Sequence, residues 1–269
     1  MVTHKEWAPV ANYLLKHIGY EVSTGKYYLL HANLSKLLQG DIRSPADLCR
    51  AADRNRQIRQ QLINGATINE SYFFRDNSLW QVVQNRLLPE LADSVSFCNE
   101  LHVLVCACAR GQEVYSLAML LHEHPLFQNK IRSVITAVDI DTEVLDIARH
   151  GCYTELEASR GLDAERRGRF FHRNGVDWQI DNVLRRSIRF EQLNLTESFH
   201  FHRRFDLVFC RNVLIYFQPE KKAAIIDRLA QYTNNHGYLI LGGAESTLGL
   251  GNSWNPRNFD GYTVYEKRY

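Results

Sequence analysis

The sequence predicts an α/β fold built on a doubly wound parallel sheet, with a small all-helical unit in front of it. Three observations carry this. Four apolar runs of strand length, Leu101–Ala107, Val134–Val138, Phe205–Cys210 and Gly237–Leu241, occur from about residue 100 onward. Helix-like segments separate them, Val114 to His122, Val144 to His150 and one entered near Pro219, as right-handed βαβ crossovers require. The runs are apolar throughout instead of alternating, the pattern of strands covered on both faces.

The elements follow in order. Trp7, Val10, Leu14, Leu15 and Ile18 keep a helical spacing, and so do Tyr27–Leu30 with Leu34, Leu37 and Leu38. A third helix is expected after Ser44-Pro45-Ala46-Asp47, with Ser44 as cap and Pro45 at the first helical position. The mixed charges of Arg50 to Arg59 read as its solvated face. Residues 1–62 are therefore expected as a helical N-terminal domain, 63–98 as a linker and the start of the catalytic domain, and 99–269 as the main domain. Between Arg169 and Phe190 the grammar breaks. Phe170–Gly175 and Leu184–Phe190 suggest short strands around a turn, a small antiparallel β-subdomain at about 169–190. The tail, Tyr262–Glu266, alternates like a last antiparallel strand.

Bulk properties exclude several classes. A formal net charge of +2 on 269 residues lacks the basic excess of a nucleic-acid binder. No apolar run reaches the roughly 18 residues that cross a bilayer. The first residues carry no secretory apolar region, so a cytoplasmic location is expected, without membrane insertion. The six cysteines form no matched Cys-x-x-Cys pairs, so reduced thiols are expected and no metal.

Ligands of such sheets bind outside the carboxyl ends of the strands. Four segments fall there. Ala107-Cys108-Ala109-Arg110-Gly111 follows the first strand with small residues that let backbone approach a ligand, yet lacks the Gly-x-Gly-x-x-Gly of a pyrophosphate site. A nucleoside without phosphates needs no such glycines. Asp139, after the second strand, can accept both ribose hydroxyls of a nucleoside, whereas Asp141 before Thr142 reads mainly as a helix cap. Cys210–Phe217 places Arg211 and Asn212 at a cleft mouth. Asn69–Asp76 sets polar residues around Phe73 and Phe74, which alone would read as core.

Together these segments resemble the chemotaxis receptor glutamate methyltransferases, the CheR family. Asn69–Asp76 is similar to that family's segment ending in Phe-Phe-Arg-Asp/Glu. Ala109–Ser116 resembles its first glycine motif, departing from it at Arg110 and Gln112. Ala137–Thr142 with Ala148–Tyr153 resembles its acidic motif and the continuation Ala-Arg-x-Gly-x-Tyr. Phe205–Phe217 nearly repeats the family pattern, and Gly242–Ser246 resembles its closing Gly-His-Ser-Glu motif with a shift. The likeness runs in order from about residue 20 to 268.

The resemblance implies a Rossmann-like S-adenosylmethionine methyltransferase sheet with the helical domain and β-subdomain just described. It implies S-adenosylmethionine as cofactor and S-adenosylhomocysteine as product. It places Asn69, Ser71, Arg75 and Ala107 against the cofactor, Glu113 on its ammonium, Asp139 on its ribose, Asn194 and Leu195 beside the adenine, and Arg211 with Asn212 along the cleft. The implied partner is the cytoplasmic domain of a methyl-accepting chemoreceptor, met by a monomer. Its glutamates would be the acceptors, with Arg75 and Tyr216 as catalytic candidates; Tyr216 would hydrogen-bond the attacking carboxylate. Another reading is a methyltransferase for RNA or a small molecule, which the near-neutral charge disfavours. A third is a catalytically weak cofactor-binding module or scaffold, raised by Gln112. The segment Arg173–Asp177 looks too short to grip a receptor tail peptide.

Overall fold

A computed structural model describes residues 4–95, 97–247 and 251–268. The N-terminal helices are Ala8–Ile18, Tyr27–Leu34, Pro45–Arg54 and Arg56–Ala66. Ser44 caps the third as expected, its hydroxyl accepting from the Asp47 N–H at 3.2 Å. The charged stretch read as one helical face is broken at Asn55, whose extended backbone ends one helix and whose side chain caps the next, accepting from Gln57 N–H at 2.8 Å. Leu14, Leu30, Leu34, Leu48 and Leu62 close a core of their own, against which Ile140 and Tyr216 of the main domain pack. The fourth helix runs on to Ala66, beyond the boundary expected near residue 62.

The strands are β1 (Glu100–Cys106), β2 (Arg132–Asp139), β3 (Cys152–Tyr153), β4 (Phe171–Asn174), β5 (Asp177–Ile180), β6 (Ile188–Gln192), β7 (Phe205–Cys210), β8 (Thr233–Leu241), β9 (Trp254–Phe259) and β10 (Tyr262–Lys267). The main sheet has the order β6-β2-β1-β7-β8-β10-β9. Its β6, β2, β1, β7 and β8 are parallel neighbours, and β10 joins antiparallel to both β8 and β9. The segment before the sheet is helical over Asn77–Val82 and Leu88–Ser94, and its Leu79, Trp80, Leu87 and Leu91 belong to the main core. Burying side chains of that size contributes roughly 1.5–3 kcal/mol each, so this segment is part of the main domain. No helix among the described residues is long and apolar enough to cross a membrane.

The small antiparallel sheet exists, but its membership differs from the expectation. It is β3-β5-β4. Leu184–Phe190 does not join it: Asn182–Arg185 is a short helix, and Ile188–Gln192 pairs parallel with β2 as an edge of the main sheet. Its alternation is that of an edge strand, with Ile188 and Phe190 facing the main core and Arg189 and Glu191 exposed. The third strand of the small sheet, Cys152–Tyr153, is too short to leave a periodic signal. Asn174 opposes Asp177, so β4 and β5 turn through Gly175 and Val176 alone, with Gly175 at φ 62°.

Candidate functional site

Winding reverses between β1 and β7, and the crevice opens at their carboxyl ends. Its empty space, open mouth included, is about 950 Å³. Every residue expected at the site lines it. Asn69, Ser71 and Arg75 come from the segment before the sheet, Ala107 and Glu113 from the end of β1 and the helix after it, and Asp139 from the end of β2. Asn194 and Leu195 come from the loop after β6, and Arg211, Asn212 and Tyr216 from the loop after β7.

The loops reach the cleft in a strained backbone. Phe74, Asp76, Ala107, Ala109 and Asn212 all have positive φ, between 48° and 64°. Such a conformation costs about 1–3 kcal/mol for a non-glycine residue and persists only where the surroundings enforce it. Side chains hold three of these positions. Phe74 N–H donates to Ser116 Oγ at 2.9 Å, Ala109 N–H to Asp139 Oδ2 at 2.8 Å, and Asn212 N–H to Glu245 Oε2 at 2.7 Å. Gly161, at φ 80°, passes so close to Phe73 that a Cβ would sit 1.9 Å from its carbonyl oxygen.

The charged end of the cleft is built on Arg211, whose side chain is 1 % exposed. Its guanidinium is shared between the carboxylates of Asp76 and Glu113. Burial works against the Arg211 charge, but Glu113 and Asp76 outweigh it and hold its pKa above the usual value. Burial also pushes the Glu113 carboxyl up, and Arg211 pulls it back. Arg75, half-buried, donates to the Glu70 carbonyl at 3.3 Å and makes no ion pair among the described residues. Tyr216 stacks on Tyr20 with ring centroids 5.0 Å apart, and Glu21 N–H donates to its carbonyl at 2.8 Å. Burial raises the Tyr216 phenol and the Arg75 charge only partly opposes this, so at neutral pH the hydroxyl keeps its proton and can donate.

Three side chains carry internal duties as well. Asn69 donates its amide to Asp141 Oδ2 at 2.7 Å. Asp141 caps the helix Thr142–His150 as expected and also accepts from Thr67, which ties the N-terminal segment to the main domain. The Asn194 amide is spent on Thr196 and Glu197 in its own turn. Asn194 lines the cleft beside the apolar Leu195, Leu193 and Ile140. Tyr20, Asp76 and Glu245 were not expected at the site. Asp76 and Glu245 each stood within a motif without a role assigned, and Tyr20 had no signal.

Asp139 combines two tasks. Its Oδ1 accepts from the Asp141 N–H at 3.0 Å, and burial raises its carboxyl to about 6. If ribose hydroxyls donate to the ionised form, affinity for S-adenosylhomocysteine should fall as pH drops through 6. The unliganded protein should respond oppositely in this group's contribution. A folded pKa above the unfolded value near 3.9 means that protonation favours the fold between those limits. Calorimetry and melting across pH 5–8 check both signs; affinity flat through that window would take Asp139 off the ribose.

The cleft is charged at one end, around Glu113, Arg211 and Arg75, and apolar at the other, and among the described residues no glycine lines it. This fits a nucleoside joined to an amino acid, and the fold and site define an S-adenosylmethionine-dependent methyltransferase. Residues 69–258 match the family described as CheR methyltransferase, SAM binding domain. The chain is 35% identical over 255 residues to the chemotaxis protein methyltransferase of Vibrio parahaemolyticus, covering 93% of this chain and 92% of that one. It is 36% identical to chemotaxis protein methyltransferase 1 of Vibrio cholerae over 93% and 92% of the two chains. It is 36% identical to the Pseudomonas aeruginosa protein of that name, over 88% and 89%. The chain belongs to the CheR methyltransferase family, and its cofactor is S-adenosylmethionine. The departures from the family motif lie outside the cleft lining. Gln112 is buried, and Arg110 pairs with Glu157 at 2.8 Å.

Proposed function

We propose that the protein transfers the methyl group of S-adenosylmethionine to glutamate side chains on the cytoplasmic domain of a methyl-accepting chemoreceptor, giving the methyl ester. The observation that carries this reading is that Tyr216 and Arg75 line one cleft in which the other cation, Arg211, is already shared between two carboxylates. A glutamate side chain with a pKa of about 4.3 is ionised at neutral pH and needs no base to become a nucleophile. When bound, S-adenosylmethionine supplies a methyl group on a positively charged sulfur. Glu113 would hold its ammonium and Asp139 its ribose, and both line the cleft together with Asn69, Ser71, Ala107, Asn212 and Leu195. The site then works by holding the acceptor oxygen in line and close, which can supply several kcal/mol of a displacement barrier, on the order of 7–11 at best. Tyr216 donates to the acceptor carboxylate without the strong ion pair that would blunt its attack. The names of the relatives support a chemotaxis substrate.

The test is transfer of radiolabelled methyl to receptor-bearing membranes. Base-labile label on the receptor supports the ester; stable label, or none with tight cofactor binding, defeats the reading. Docking is proposed to proceed without a tail peptide. The β4–β5 turn leaves no loop to close over a peptide strand, as capture at a sheet edge would need. Lys16, Lys26, Lys36, Arg54 and Arg56 are exposed on the helical domain and offer weak, salt-sensitive contact with an acidic receptor helix. A receptor with its flexible tail deleted should be methylated as fast as the intact one, and added salt should slow both. Micromolar binding of a free tail peptide would overturn this.

A further inference from the structure

One carboxylate organises the loop that carries Tyr216. Glu245 Oε2 accepts from Asn212 N–H at 2.7 Å and from Gly242 N–H at 2.8 Å. Its Oε1 accepts from Leu214 N–H at 2.7 Å and from Ile215 N–H at 3.3 Å. An ionised carboxylate is acceptor-only with about four lone-pair sites, so this arrangement uses its whole capacity on backbone donors. Three of the donors, Asn212, Leu214 and Ile215, belong to the turn in which the chain leaves β7, and the fourth, Gly242, is the residue after β8. That turn is held at Asn212 with φ 58° and then enters the short helical turn Leu214–Tyr216. The opposite wall of the contact is Gly242, where a Cβ would meet Glu245 Oε2 at 2.7 Å and Asn212 Nδ2 at 2.8 Å. Any side chain there would push the carboxylate off the turn. Tyr216 is meanwhile braced from the far side by Tyr20 and the Glu21 N–H.

We infer that Glu245 is a positioning residue for methyl transfer: it fixes the Asn212–Ile215 turn and thereby sets Tyr216 against the acceptor carboxylate. This rests on the proposed role of Tyr216. The chemistry is specific to a carboxylate. In Glu245→Gln one oxygen becomes an NH2 that faces two N–H donors, so two contacts turn repulsive while size is kept. Charge-assisted bonds of this kind are about twice as strong as neutral ones, and kcat should fall roughly 10-fold or more. Glu245→Asp, which keeps the charge but is one methylene shorter, should recover part of the loss.

Three readouts separate positioning from a general structural role. Amide exchange over residues 211–217 should quicken in Glu245→Gln, while the core strands β1 and β8 keep their protection. The loss in kcat should greatly exceed any loss of affinity for S-adenosylhomocysteine. In a double-mutant cycle with Tyr216→Phe, the two losses should fall well short of multiplying, because one acts through the other. Multiplying losses, an unchanged exchange pattern, or equal losses in affinity and kcat would each overturn the inference. A wild-type protein that leaves every receptor unlabelled sinks the receptor reading and the role of Tyr216 with it. The exchange pattern then still decides whether Glu245 anchors the turn.

Discussion

Arg211→Met should produce the largest loss of stability of any single change at the cleft. The guanidinium is buried and shared by Asp76 and Glu113. Removing it leaves two carboxylates facing each other, with Glu113 only 15 % exposed in its side chain and Asp76 42 %. Breaking a buried pair by deleting one partner costs about 3–5 kcal/mol, and the partial exposure of Asp76 places this case toward the lower figure. For a chain of this size that is a fall in Tm on the order of 10 °C. Affinity for S-adenosylhomocysteine should drop with it, since Glu113 would no longer be held at the cleft. Arg211→Lys should recover only part, because an ammonium is a point charge and lacks the planar fork that reaches two carboxylates at once. Acidification gives an independent sign. Without Arg211, Glu113 is pushed up further by burial, so the Met variant should regain stability relative to the wild type as pH falls from 7 toward 5. A Met variant that melts within about 1 kcal/mol of the wild type would show the triad to be slack.

The strand ends were readable in the sequence because solvent and ligand face them abruptly. Phe205–Cys210 is apolar and the next two residues are Arg211 and Asn212, so the change of character itself marks where the chain enters the cleft. Asp139 stands out for the same reason. What Arg211 does there was not readable. Its partners Asp76 and Glu113 lie 135 and 98 residues away in the chain, and nothing local in either segment marks them as a pair.

Glu245 was hidden differently. Its partners are backbone N–H groups, which every residue but proline has, so no residue type records the contact. Only Gly242, required by close approach, leaves a trace. Tyr20 reaches the cleft because the helical domain packs its core against Tyr216 and Ile140, a tertiary contact that periodicity does not contain. The small sheet shows the converse error. Leu184–Phe190 had a real strand signal, Ile188 and Phe190 on one face, but alternation states only that one face is buried. It does not say against which sheet, and the main core took the strand.

Arg75→Ala should separate chemistry from stability most cleanly. The segment that carries it is anchored elsewhere. Phe73 is fully buried, packed edge-on against Tyr153 and Phe171 with centroids 5.1 and 5.6 Å away. Phe74 packs on Trp80, and Arg166 lies over its ring at 4.4 Å while binding Glu123 through two bonds of 2.9 and 2.8 Å. Arg75 itself contributes one 3.3 Å bond to a carbonyl and a contact 5.8 Å from the Tyr72 ring. Losing these should cost about 0.5 kcal/mol or less, the usual range for a residue away from the core. Its charge, in contrast, acts on both Glu113 and Tyr216. With Arg211 shared by Asp76 and Glu113, Arg75 would be the cation that meets the carboxylate at the cofactor's amino-acid end. Removing a preorganised charge from a partly dry cleft costs on the order of 100-fold in rate. The variant should therefore melt with the wild type without ligand while kcat/KM collapses, and Arg75→Lys should restore charge but not the fork. An unliganded Ala variant that loses several kcal/mol would make Arg75 structural and remove it from the chemistry.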